Sequence, residues 1–313
     1  MPLYSNALGN FLSRAMLKYM GKTSYRPAGI FNRMNLFKPV FRWRYAVPPE
    51  KGGWLWWIGP FILGVAAAPN VDLDAFLLGS ALLTAYLFRQ PAVLLIRSLR
   101  NTKAETDRTA VAFWLLVYTC LGAVLSGFLL VRGNYWLIPL AILGTLLLGW
   151  NLALLSSGKA RRQVWLDESA AAFLALAAPA AYWAGNGTEG KVAGLVWLLS
   201  FLQSSGSIVH MLLRLDQRFL PERPKIYEAV RRAVIPLVHH CVNMTVVITL
   251  FFLGAVGSGS VLAMGITVAE GMWVCAFPLT KVTPRYLGFR QIAVTSAYFL
   301  LTASDFLLRR ITT

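Results

Sequence analysis

Glu270 is set midway along an apolar stretch, 260–278, in Ala269-Glu270-Gly271-Met272-Trp273. A carboxylate in hydrocarbon is costly, so such a residue is a candidate site. It is expected either protonated or paired with a base such as Arg89. As chemistry it would hold a proton, a substrate or a pigment; as structure it would make a buried hydrogen bond. His210 stands near the end of the stretch 192–213, and His239 and His240 lie early in 233–254. If those two stretches run antiparallel, His210 and one of the pair reach similar depth. That arrangement would suit a haem or a chlorin, although each histidine is also close enough to an interface to be wet. No His-x-x-His or His-Glu-x-x-His spacing occurs, so metal-dependent hydrolysis is not indicated. Gln203, Ser204, Ser205, Gly206 and Ser207, with Asn243 opposite, read as tight interhelical packing or as the lining of a polar cavity.

The segments between the stretches carry the remaining chemistry. Arg89, Arg97 and Arg100 precede Glu105 and Asp107, while Arg214 and Arg218 surround Asp216. Guanidinium and carboxylate mixed at a membrane face can bind a diphosphate or head group, directly or through Mg²⁺. Glu105, Asp107 and Asp216 are then the metal candidates. Arg89, Arg97, Arg100, Arg214, Arg218, Asn243 and Glu270 are the substrate-binding candidates. The plainer reading of the same charges is a topology signal with solvated ion pairs. No glycine-rich phosphate loop and no Ser/His/Asp arrangement is evident.

The elements that must position these groups are apolar helices. Of 313 residues, 57% are hydrophobic and only 14% charged, yet 30 Lys+Arg face 13 Asp+Glu, for a net charge of +17. Exposing that much apolar surface in water would aggregate the chain, and a nucleic-acid binder would share the charge but not the apolar runs. The pattern is that of an all-α, polytopic membrane bundle. Nine stretches can span: 52–68, 75–97, 110–131, 135–155, 168–184, 192–213, 233–254, 260–278 and 290–308. Pro91 is expected to kink or break the second. All but four of the 30 basic residues (Arg132, Lys191, Arg309 and Arg310) then fall on one side. The positive-inside bias puts the N-terminus in the cytoplasm and the C-terminus outside, in a multi-pass protein of the bacterial inner membrane. Cys120, Cys241 and Cys275 form no CxxC spacing and read as small hydrophobes.

Residues 1–47 form a separate basic arm, followed by the membrane domain, 48–313. Leu8, Phe11, Leu12, Ala15, Met16 and Tyr19 recur at helical spacing beside Arg14, Lys18 and Lys22, with no acid before Glu50. This reads as an interfacial amphipathic helix on anionic lipid. A transit peptide and a docking arm for other subunits are the alternatives. A signal peptide is not indicated, because no continuous apolar core precedes Gly52.

Local strings resemble the YwiC-like bacterial membrane proteins. Pro48-Pro49-Glu50-Lys51-Gly52-Gly53-Trp54 is similar to that family's Glu-His-Gly motif at the first span, with Lys51 where the family has His. Phe88-Arg89-Gln90-Pro91 with Arg97 and Arg100, Asp107-Arg108, and Glu168 leading to Ala178-Pro179-Ala180-Ala181-Tyr182-Trp183 also fit it. The resemblance runs over about 48–300. It implies a fold type and little chemistry, and it marks Glu50, Lys51, Gly52 and Trp54 as motif residues.

A weaker architectural resemblance is to the UbiA-type prenyltransferases, which have nine spans and charged loops between spans two and three and between six and seven. It implies prenyl diphosphate and Mg²⁺ held by Asp-rich motifs in those loops. Here Asn101, Glu105, Asp107, Asp216 and Glu222 occupy the loops, and the full Asp repeats are absent. The leading expectation is a protein that handles a lipid, isoprenoid or quinone-type molecule in a cavity open to the cytoplasm; if an enzyme, a prenyl-type transferase. The alternative is a non-catalytic subunit of a respiratory or photosynthetic complex. A transporter is third, with no convincing internal repeat to support it.

Overall fold

The computed structural model describes residues 42–48, 52–100, 107–156 and 164–312. Most of the arm, Glu50, Lys51 and Glu105 lie outside the described residues. Among the described residues all regular structure is helical. The helices are α1 (Trp43–Ala46), α2 (Leu55–Ala67), α3 (Leu73–Arg100), α4 (Arg108–Val131), α5 (Leu137–Ser156), α6 (Val164–Leu174) and α7 (Ala177–Ala184). Then come α8 (Gly190–Gln217), α9 (Ile226–Arg232), α10 (Val234–Phe252), α11 (Ser258–Ala276) and α12 (Pro284–Thr312). A 3₁₀ turn, Gly52–Trp54, leads into α2.

Seven of these helices are long and apolar enough to cross a membrane: α3, α4, α5, α8, α10, α11 and α12. The other two apolar stretches behave differently. The first yields α2, whose 13 residues rise about 20 Å, short of a ~30 Å hydrocarbon core. It survives because protein surrounds it: Trp57, Gly59, Pro60, Leu63, Gly64 and Ala66 are buried. Gly64 lies directly on the α7 backbone, where an added Cβ would stand 2.1 Å from the Ala178 carbonyl oxygen. The fifth stretch is broken into α6 and α7. Tight turns from Leu176 to Phe173 and from Ala178 to Ala175 separate them. Pro179 then sits in the first turn of α7, where its missing N–H costs nothing. Pro91, by contrast, does not break α3, which runs through it. The α3–α4 pair is the most extensively packed in the molecule, and that packing outweighs one lost hydrogen bond.

Hydrogen bonds between helix ends tie the bundle together. At one end, Arg108 Nη2 donates to the Ser98 carbonyl (3.0 Å), joining α4 to α3. Gln217 Nε2 donates to the Val274 carbonyl (3.3 Å), joining α8 to α11. At the other, Arg132 pairs with Asp74 and Asn134 Nδ2 donates to the same carboxylate (3.0 Å). Asp305 on α12 accepts from Gly257 N (2.8 Å), Ser260 N (3.4 Å) and Ser260 Oγ (2.7 Å), which caps the N-terminus of α11. Arg309 donates to the carbonyls of Ala255 (2.6 Å) and Gly254 (2.5 Å) beyond α10. Arg310 donates to those of Ala68 (2.6 Å) and Pro69 beyond α2. Asp305 and the arginine pair are therefore structural latches. Cys275 is buried, whereas Cys120 and Cys241 face outward, on helix surfaces that are apolar without being in the core.

Candidate functional site

Four helices, α8, α10, α11 and α12, bring most of the polar groups of the interior together. Their sequences are apolar on the outside and carry small or hydrogen-bonding residues where they meet. Gln203, Ser204, Ser205, Ser207, His210 and Arg214 of α8 are all buried, as are His240 and Asn243 of α10 and Thr267 of α11.

The middle of this region is a closed hydrogen-bond network. Thr267 Oγ1 donates to Gln203 Oε1 (3.1 Å), and Gln203 Nε2 reaches Thr295 Oγ1 (3.4 Å) and Ser207 Oγ (3.5 Å). Gln291 Nε2 donates to Ser207 Oγ (2.8 Å). Asn243 Nδ2 donates to the Leu202 carbonyl (2.9 Å), bracing α10 on α8.

Nearer the end that holds Gln217, the network becomes charged. Arg290 Nε lies 2.6 Å from Glu270 Oε1, and Arg290 Nη2 donates to Glu270 Oε2 at 2.8 Å. The partner of Glu270 is thus Arg290 of α12, not Arg89 of α3. His210 Nε2 stands 4.0 Å from Glu270 Oε1. The His210 and His240 rings face each other edge-on, centroids 6.1 Å apart. His239 points elsewhere, its Nε2 3.0 Å from Ser205 Oγ.

Four of these groups have buried atoms without a hydrogen-bond partner: Ser204 Oγ, Glu270 Oε1 (whose contact with Arg290 Nε is an ion pair only), Arg214 and His240. The Arg214 side chain is 2% exposed; Nη1 makes one long bond to Gln217 Oε1 (3.4 Å), and Nη2 has no hydrogen-bond partner. His240 is also 2% exposed, and neither ring nitrogen has a partner. Its ring lies between two glycines. A Cβ on Gly271 would come within 2.5 Å of His240 Cδ2, and one on Gly206 within 3.6 Å of Cε1. Gly206, Ser207, His210, His240, Thr267, Glu270, Gln291 and Val294 close around a narrow crevice with no room for a water-sized molecule. A second, open groove runs over Leu237, Val238, Cys241, Val242, Thr245 and Val246 on the outer side of α10. Its lining is almost wholly apolar, as expected of a helix surface that faces lipid.

The remaining candidates are distributed as follows. Arg89 is half-buried on α3, and Arg97 is exposed near the end of that helix; Arg100 is its last residue. Asp107 caps α4, its Oδ1 accepting from Thr109 N (3.0 Å) and Ala110 N (3.2 Å). Asp216 is exposed, and the Arg218 guanidinium lies 4.5 Å over the Phe219 ring. Trp54 packs on Tyr86, centroids 4.9 Å apart; Gly52 opens the 3₁₀ turn beside it. Among the described residues, no three His, Cys, Asp or Glu side chains converge as a metal site. The α3–α4 group and the α8 group stand on different helices: α3 packs chiefly on α4, α5, α7 and α1, whereas α8 packs on α7, α10, α2, α6 and α12.

Sequence reasoning singled out Glu270, Arg214, His210, His240 and Asn243, which the structure gathers. It also named Gln203 and Ser207 as possible cavity lining, and it missed Arg290, counted only as a loop charge, together with Gln291, Thr295 and the packing role of Gly271. One signal was available: Gln291 and Thr295 stand at i, i+4 spacing on one face of a helix, immediately after Arg290.

Comparison with known proteins agrees with both resemblances. Residues 47–182 match the model of the YwiC-like protein family, a stretch that ends well short of residue 300. No curated protein matches the chain. Among solved structures, digeranylgeranylglyceryl phosphate synthase, studied in membranes, is similar in fold at a TM-score of 0.54 and 12% identity. The similarity covers 81% of this chain and 93% of that one. The chain is therefore YwiC-like in sequence over 47–182, and it shares the helical architecture of a UbiA-type prenyltransferase.

Proposed function

We propose that this protein binds the anionic head of an isoprenoid or related lipid at the basic end of the bundle. The observation that carries the reading is Arg214, a buried guanidinium whose Nη2 has no hydrogen-bond partner. A buried, under-coordinated cation is unfavourable unless an anion completes it. Arg218, Arg97 and Arg100 add positive charge at helix ends on the same predicted side, and a phosphate is the anion that guanidinium groups match best. The lipid tail would remain among the apolar helices.

On this reading the chain makes nine passes, with α2 as one and α6 with α7 as another. The basic end faces the cytoplasm, in a bacterial inner membrane, because that end carries the great excess of Lys and Arg. The basic arm lies on anionic lipid. Asp107, Asp216 and Glu105 are the candidate ligands for Mg²⁺, if the head is a diphosphate.

The test is direct. Purified protein in nanodiscs is titrated with geranylgeranyl diphosphate, with and without Mg²⁺, and its thermal midpoint and bound lipid are measured. Saturable stabilisation that Arg214→Gln weakens supports the reading; no stabilisation, or stabilisation indifferent to Arg214→Gln, removes it. Asp107→Asn with Asp216→Asn then abolishes the Mg²⁺ dependence if those carboxylates hold the metal. Asp107→Asn retains the helix cap, so the result reports on metal and not on folding.

A further inference from the structure

Two features meet along the outer side of α10. The first is the open groove over Leu237, Val238, Cys241, Val242, Thr245 and Val246, about 400 Å³ in volume. The Thr245 hydroxyl is turned back onto the Cys241 carbonyl (2.9 Å) and is not presented to a ligand. From Leu237 to Val246 the helix rises about 14 Å, roughly half of a ~30 Å hydrocarbon core. The groove therefore matches the depth of one leaflet.

The second is the charge at its head. The segment from Arg218 to Arg232 carries five basic residues against two acids. Arg231 and Arg232 are exposed, and among the described residues neither has an ion-pair partner. Pro236 has no N–H to give the Arg232 carbonyl, which separates α9 from α10. The ladder closes around that gap. Ala233 N donates to the Ala229 and Val230 carbonyls (3.1 and 3.0 Å), and Leu237 N donates to the Ala233 carbonyl (2.9 Å). Arg231 thereby stays close to the register of the groove. Tyr227, Arg231, Ile235, Val238, Val242 and Thr245 follow one another three or four residues apart, the spacing of one helix face. All six are exposed. Arg232 stands off this line.

We propose that an anionic phospholipid of the adjoining leaflet binds along this face, its phosphate on Arg231 beside the Tyr227 hydroxyl and one acyl chain in the groove. Guanidinium takes phosphate oxygens through paired N–H donors, and tyrosine suits the head-group level. A second copy of the chain fits the face less well. A twofold partner would bring the same arginines together at the same depth, where like charges repel. The site lies on the outside of the bundle and does not depend on the reading of the buried Arg214.

Full-length protein, purified in detergent and stripped of lipid, is titrated with phosphatidylglycerol and with phosphatidylcholine of the same chains. Native mass spectrometry counts the bound lipids. The first phosphatidylglycerol should bind about tenfold more tightly than phosphatidylcholine, the size of one charge-assisted hydrogen bond. Arg231→Gln should remove that preference and Arg232→Gln should keep it. Val242→Trp, which fills the groove, should weaken both lipids. Equal affinities in the wild type, a preference that survives Arg231→Gln, equal losses in Arg231→Gln and Arg232→Gln, or no effect of Val242→Trp overturns the proposal. A dimer that Val242→Trp dissociates assigns the face to a second copy and overturns it too. The comparison of the two lipids on the wild type keeps the test decisive even if a variant fails to fold.

Discussion

Arg290 of α12 grips Glu270 of α11 with two nitrogens, Nε at 2.6 Å and Nη2 at 2.8 Å from its two oxygens. The pair is mostly buried, with side-chain exposures of 27% and 14%. It explains how a carboxylate survives in an apolar helix: the base that balances it comes from the next helix in the chain. Breaking such a pair on one side costs more than removing it whole, because a lone buried charge remains. Arg290→Met is expected to destabilise the protein by about 2–4 kcal/mol. The double variant Glu270→Leu with Arg290→Met should recover at least half of that. Thermal or denaturant unfolding in detergent gives both values, and a double variant as unstable as the single one contradicts the interpretation.

The glycines make a graded series. At Gly64 an added Cβ meets a backbone oxygen, Ala178 O, at 2.1 Å, and neither helix can yield without moving. Gly64→Ala should cost about 2–3 kcal/mol or prevent assembly, as overpacking does. At Gly127 and Gly149 nothing lies within 4 Å of an added Cβ. There the substitution should be neutral or stabilising by up to about 1 kcal/mol from helix propensity. Equal thermal midpoints for Gly64→Ala and Gly127→Ala would show that α2 and α7 are not in backbone contact.

Asp305 provides a third case. Its carboxylate accepts three hydrogen bonds at the start of α11, where the helix dipole favours negative charge. Asp305→Ala removes all three and should cost about 1–3 kcal/mol; Asp305→Asn keeps the acceptor oxygen and should cost less. Proteolysis of the Gly254–Ser258 turn, measured on folded protein, should accelerate in Asp305→Ala and barely change in Asp305→Asn.

How far the sequence foretold these features differs from one to the next. The apolar stretches were visible because a membrane helix must be continuous and uncharged, and the structure puts helix at every one of the nine. Their internal form was not visible. Nothing in 168–184 marks a break at Ala175, since Ala and Leu suit either a straight helix or a corner; only the close approach to Gly64 selects the corner. The same limit applies at Pro91, where local chemistry favours a break and the packing of α3 on α4 overrides it. Glu270, Arg214 and the histidines stood out because polar groups are costly in hydrocarbon. Arg290 did not, because its segment reads as a loop-to-helix boundary and an arginine there needs no partner. The glycines around His240 carry no local signal, and their role appears only when three helices meet.

The sidedness of the bundle supplies the last prediction. Lys281 follows α11, on the side that the charge bias places in the cytoplasm, and it is exposed. Lys191 begins α8 at the opposite end, also exposed. In a background with Cys120, Cys241 and Cys275 replaced by Ser or Ala, Lys281→Cys and Lys191→Cys give two single-thiol reporters. A membrane-impermeant maleimide should label Lys191→Cys in intact spheroplasts and Lys281→Cys only in inverted vesicles. Reversed labelling would invert the orientation and place the Arg214 end outside, away from cytoplasmic isoprenoid diphosphates. Labelling of both from one side would break the parallel relation between α8 and α11 that the Gln217–Val274 hydrogen bond, between their C-terminal ends, requires.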